Sequence, residues 1–144
     1  MFVAAVLFIF LSLAAAGIGG APEKILSAVI STWIITDQTY HAFYGKMNFS
    51  NLDHAHLVLD GVLFVTFALV MLKANRCWPI IATGAQAVVL LGHLSIVVSP
   101  SGVQRAYWAM TQLPSLIVIA SLIVGALGHR NRLRKIGPYR QWSY

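Results

Sequence analysis

Nothing constrains this chain more than its long apolar runs, parted by short breaks of proline, glycine and charged residues. Phe2 to Ala16 is almost free of polar side chains. Asp53 to Leu72, Pro79 to Val98 and Gln104 to Gly128 are each about 20 residues or more, the length an α-helix needs to cross a hydrocarbon core of ~30 Å. With 58% hydrophobic and 10% charged residues, the chain carries more apolar surface than a water-soluble domain hides. The expected fold is all-α, a polytopic transmembrane helical bundle over residues 1–128 followed by a basic tail, 129–144. There is room for one bundle and no second domain. Pro114 is expected to kink the last helix.

The second segment decides the number of spans. Its apolar core, Ile25 to Thr36, is too short to cross. Extended from Pro22, a residue suited to a first helical turn, to Phe43, it is long enough but carries Asp37 inside. The basic side chains then favour one topology. Five spans with the C-terminus inside put Lys24, Lys73, Arg76, Arg130, Arg132, Arg134, Lys135 and Arg140 on the cytoplasmic side, against Lys46 and Arg105 outside. Four spans, with the second segment lying on the outer surface, move Lys24 outside. Both arrangements obey the positive-inside rule, and five spans obey it more fully. Five spans are expected, with four as the alternative. Ala14-Ala15-Ala16 resembles a signal-peptide cleavage site, but the positively charged region that precedes one is missing.

The net charge of +6 is concentrated in the tail. A basic cluster directly after an apolar run reads as an orientation signal that touches anionic lipid headgroups, and nucleic acid is not an expected partner. Cys77 is the single cysteine, so neither an intramolecular disulfide nor a cysteine-based metal motif is possible. Trp33, Tyr40, Tyr44, Tyr107 and Trp108 near one boundary, and Trp78, Tyr139 and Trp142 near the other, read as interfacial belts. Asn48-Phe49-Ser50 matches a glycosylation acceptor, a pattern frequent by chance.

Counting depth along the helices gathers a polar layer. At ~1.5 Å per residue, Asp37, Asp60 and His93 each lie roughly 10 Å below the outer ends of their segments, with Thr111 and Gln112 near the same level. His41 follows Asp37 by four residues and His56 precedes Asp60 by four, so each pair shares a helix face. Asp53 joins the face of His56 and Asp60, whereas His54 points away and is expected in solvent. Gln86 extends the polar face of His93 inward. An ionised carboxylate facing lipid costs at least ~2.5 kcal/mol, so these acids must face the bundle, be paired or be protonated.

Three functions fit the layer of Asp37, His41, His56, Asp60, Gln86 and His93. The leading expectation is a non-enzymatic accessory or structural subunit, associated with other membrane subunits, in which polar side chains fix helix register. The second is a redox or metal protein holding haem or a divalent metal through His41, His56, His93 and Asp60, since imidazole and carboxylate suit such ions. The third is a component of a proton or small-solute transporter. Hydrolytic chemistry is disfavoured, because no nucleophile motif, phosphate loop or metalloprotease motif is present.

Asp60, Leu72-Lys73-Ala74-Asn75-Arg76, Trp78-Pro79, Gly84-Ala85-Gln86 and His93 together resemble a group of small uncharacterised bacterial multi-pass inner-membrane proteins. The resemblance covers about a quarter of the chain. It implies a bacterial inner (plasma) membrane setting and interest in Asp60, Gln86 and His93, and no activity travels with it.

Overall fold

The computed structural model describes residues 2–45, 52–98 and 104–143. Among these there are five helices and no strand: α1 (Phe2–Ile18), α2 (Ala21–Tyr44), α3 (His54–Lys73), α4 (Trp78–Val98) and α5 (Gln104–Ile136). The boundaries follow local chemistry. Pro22 lies in the first turn of α2, where a missing N–H costs nothing. Asp53 caps α3, its carboxylate accepting from the backbone N–H groups of Ala55 and His56. Residues 46–51 and 99–103 lie outside the described residues, and with them Lys46 and the Asn48-Phe49-Ser50 match.

One boundary differs from expectation. The last helix does not stop at Gly128 but runs through Pro114 and on to Ile136, 33 residues in all. Arg, Leu and Lys are good helix formers, and nothing stops the helix until Gly137. That glycine takes φ +74°, returns its N–H to Leu133 O at 3.0 Å and is followed by proline, an ordinary way to end a helix. The residues after it fold back on the bundle. Asn75 N donates to Gln141 O, Ser143 N to Lys73 O, and Trp142 pairs with Ala74 in an isolated bridge.

Three helices are long and apolar enough to cross a membrane: α3, α4 and α5. α1 is apolar throughout but has 17 residues. α2 has 24, yet Glu23, Lys24, Asp37 and His41 interrupt it. Length and composition therefore support three spans, and the expected five are not established by them. The distribution of side chains points the same way, to membrane insertion. Phe10, Leu69, Ile81, Leu94, Leu116 and Val124 lie on the outside, while Glu23, Asp37, Asp60, Gln86 and His93 are buried. Water would favour the reverse.

Each helix runs back along the one before it. Phe8 of α1 shares a cleft with Trp33 and Asp37 of α2, and Trp33 in turn shares one with Leu59 and Leu63 of α3. Asp60 of α3 meets Gln86 and His93 of α4. On α4, Gly92 lies against Met110 and Thr111 of α5, and Trp78 lies against Gly125. A β-carbon on Gly92 would stand 2.9 Å from that of Met110, so only glycine lets the two backbones come so close there. Leu26, Phe67, Ala82, Leu122 and Ala126 fill the middle. This up-and-down course places Asp37, His41, His56, Asp60, His93 and Tyr107 towards one end, here the histidine end. Glu23, Arg76, Trp78, His129 and Gln141 gather at the other, the arginine end.

Candidate functional site

Two polar clusters occupy the histidine end, and they differ in one chemical respect. The first joins α3, α4 and α5. His93, 1% exposed, has Nε2 at 2.9 Å from Asp60 Oδ2 and Nδ1 at 2.9 Å from the Tyr107 hydroxyl. Gln86 Nε2 donates to the other carboxylate oxygen, Oδ1, at 3.1 Å. The arrangement assigns its own protons. Nε2–H of His93 donates to the carboxylate, which leaves Nδ1 to accept from the tyrosine O–H. Both imidazole nitrogens and both carboxylate oxygens are occupied. This cluster is closed.

The second cluster joins the last turns of α2 to the first turn of α3. Asp37, 5% exposed, shares a helix face with His41, and His56 approaches from α3. Three atoms converge: His56 Nε2 lies 2.7 Å from both His41 Nε2 and Asp37 Oδ1, and His41 Nε2 lies 3.6 Å from Asp37 Oδ1. Their surroundings fix the other half of each group. His41 Nδ1 stands 2.8 Å from the Gly45 carbonyl, so Nδ1 carries the proton and Nε2 presents a lone pair. Asp37 Oδ2 accepts from Gln38 Nε2 at 3.1 Å. Asp37 Oδ1 is buried and accepts no aligned hydrogen bond, despite the nearness of His56. A cleft of about 110 Å³, lined by Phe8, Trp33, Asp37, His56, Thr111 and Gln112 among others, adjoins Asp37 and His56. This cluster is open.

The arginine end holds a third group. Glu23 is completely buried and fully used. Oε1 accepts from Arg76 and from the Trp78 indole N–H (2.8 Å), and Oε2 accepts from Gly20 N at 2.9 Å. Arg76 continues to His129 Nδ1 at 3.0 Å, and the Tyr139 hydroxyl stands 2.7 Å from the same nitrogen. Gln141 Oε1 accepts from Ala21 N. The first turn of α2, the α3–α4 connection, α5 and the end of the chain thus meet on one ion pair.

The six residues of the expected polar layer are therefore all near the histidine end, but in two clusters: Asp37, His41 and His56 in one, and Asp60, Gln86 and His93 in the other. Among the described residues, only the first of these brings three His, Cys, Asp or Glu ligand atoms within 4.8 Å of one another. Asp53 serves as the α3 cap and His54 is exposed. Haem does not fit. Axial imidazoles on opposite faces of an iron stand ~4 Å apart, twice a metal–nitrogen bond of ~2 Å, whereas His41 and His56 are nearly in contact and both nitrogens of His93 are used.

Two aromatic side chains do not lie where the belt reading puts them. Tyr107 is 2% exposed and belongs to the closed cluster, and Trp78 is buried on Glu23. Arg76, read from sequence as an orientation signal, forms a buried pair with Glu23 instead. A signal for it was present: a carboxylate two residues before the apolar run that starts at Ile25 has to find a cation or be protonated. Comparison with known protein families, with curated proteins and with solved structures finds no match.

Proposed function

We propose that this chain is a five-span protein of the bacterial inner membrane, with its C-terminus in the cytoplasm, that acts as a non-enzymatic accessory or structural subunit. The closed cluster carries the reading. Asp60, Gln86, His93 and Tyr107 tie three helices together with every strong polar atom of the carboxylate and imidazole satisfied, which is what a register-fixing network requires. A general base or a proton carrier needs a free lone pair facing its substrate, and His93 offers none. The up-and-down course supports five spans, because it brings Lys24, Lys73, Arg76 and the basic tail to one end, in keeping with the positive-inside rule. The resemblance carried by Asp60, Trp78-Pro79, Gln86 and His93 supports the bacterial setting.

Asp60→Asn in purified protein tests the role. It is expected to lower thermal stability in detergent while proton flux into proteoliposomes stays at the level of empty vesicles for both proteins. A protein-dependent proton flux that Asp60→Asn abolishes would replace the structural reading with a transport one.

A further inference from the structure

The contrast between the closed and the open cluster has a chemical consequence. The Asp37–His41–His56 cluster sets two acceptors, the His41 Nε2 lone pair fixed by the Gly45 carbonyl on the far side of the ring and the buried Asp37 Oδ1, each 2.7 Å from the single Nε2 of His56. A neutral His56 supplies one proton, and its Nε2 aligns with His41, so the carboxylate oxygen keeps its negative charge in a buried place. Such a group calls for a cation, and a metal ion at the three atoms takes the place of the proton that would otherwise charge His56 beside it.

We propose that Asp37 Oδ1, His41 Nε2 and His56 Nε2 are a binding site for a divalent first-row transition metal ion. The geometry admits one. A triangle with sides of 2.7, 2.7 and 3.6 Å has a circumradius of about 1.8 Å, so an ion about 1 Å out of its plane reaches all three atoms at ~2.1 Å. At that distance the ligands subtend about 80° to 120° and occupy one face of the ion. The other face is left for water or an exchangeable ligand. The ligand types narrow the ion further. Two imidazoles and one carboxylate suit Zn²⁺, Fe²⁺ or Mn²⁺, calcium and magnesium prefer all-oxygen shells, and Cu⁺ prefers sulfur. His56 takes the tautomer with its proton on Nδ1 when the ion is bound.

The supporting contacts are those of a metal site. The His41 Nδ1–H to Gly45 O bond orients one ligand, and Gln38 orients the carboxylate through Oδ2. The ligands come from two helices, with the pair on α2 separated by four residues and therefore on one face. His41 is the most accessible of the three, so the ion enters from the histidine end. In the proposed topology that end faces the outside of the cell.

Full-length protein carrying a tag without histidines, stripped with chelator in detergent, is titrated with Zn²⁺ by calorimetry and with Co²⁺ by absorbance. One equivalent of Zn²⁺ is expected, with Ca²⁺ and Mg²⁺ inert. His41→Ala and Asp37→Asn should each weaken binding by at least about tenfold, while His54→Ala leaves it unchanged. His41→Cys should keep the site and add a thiolate-to-cobalt band in the near ultraviolet. Because His41 is the least buried ligand, His41→Ala should melt with the chelated parent, which separates loss of a ligand from loss of fold. Either of two results overturns the proposal: folded parent protein that takes up less than one equivalent at ~0.1 mM free Zn²⁺, an affinity below ~5.5 kcal/mol, or uptake that His41→Ala and Asp37→Asn leave intact.

Discussion

Glu23 and Arg76, 53 positions apart, form an ion pair inside the bundle that also holds the Trp78 indole and the Gly20 backbone. The two side chains are almost wholly enclosed. Breaking one side of such a pair leaves an uncompensated charge in a low-dielectric site, at a cost of ~3–5 kcal/mol, whereas replacing both by apolar groups is often close to neutral. Glu23→Gln and Arg76→Met are each expected to lower the melting temperature in detergent markedly, and the double variant Glu23→Leu/Arg76→Met is expected to be more stable than either. A double variant less stable than both singles would mean that the pair contributes more than it costs to desolvate.

The approach of α4 to α5 makes a second prediction. The backbone of Gly125 lies against the Trp78 indole, and a β-carbon there would stand 2.5 Å from Nε1. Trp78 cannot swing aside without giving up its hydrogen bond to Glu23. Gly125→Val should therefore destabilise the protein by about 1–3 kcal/mol, the usual range for overpacking. Gly128→Val, one turn on with open space around it, serves as the control for helix propensity alone. The measurement is the difference between the two melting temperatures, and equal values would show that the Trp78 contact does not limit packing.

What the sequence disclosed divides by the range of the interaction involved. Helix positions were legible because apolar runs and their proline and glycine breaks act locally. So was the shared level of Asp60 and His93, because depth in a helix is a count of residues, and antiparallel neighbours at equal depth meet. The count does not contain azimuth, the direction a side chain points around its axis. It therefore merged two clusters into one layer and missed that His56 turns to Asp37 rather than to Asp60, four residues along its own helix. Tyr107 and Trp78 were misplaced for a related reason. An aromatic residue near a span boundary has the same local sequence whether it faces lipid or a buried partner, and only the partner decides. The return of Gln141 depends on contacts with residues more than 60 positions away, which no local pattern carries.

The last prediction concerns how often the chain crosses the membrane. α1 and α2 form a pair of antiparallel helices, one short and one interrupted by charge, and their crossing is what separates five spans from fewer. Lys24 is exposed beside Glu23 at the arginine end, Tyr44 is exposed at the histidine end, and Cys77 is exposed in the α3–α4 connection. In five spans with the tail inside, Cys77 and a cysteine introduced by Lys24→Cys face the cytoplasm, and one introduced by Tyr44→Cys faces outward. A membrane-impermeant maleimide added to intact spheroplasts should then label Tyr44→Cys in a Cys77→Ser background, and should label Lys24→Cys and native Cys77 only after permeabilisation. If α2 lies on the outer surface, Lys24→Cys and Tyr44→Cys react alike from outside while Cys77 stays protected. That pattern would leave four spans or fewer. It would also place Glu23 on the same side of the membrane as Asp37, which the bundle forbids unless α2 is too short to reach across it. At 24 residues and ~1.5 Å each, α2 spans roughly 36 Å, more than the ~30 Å core, so opposite labelling of its two ends is the expected result.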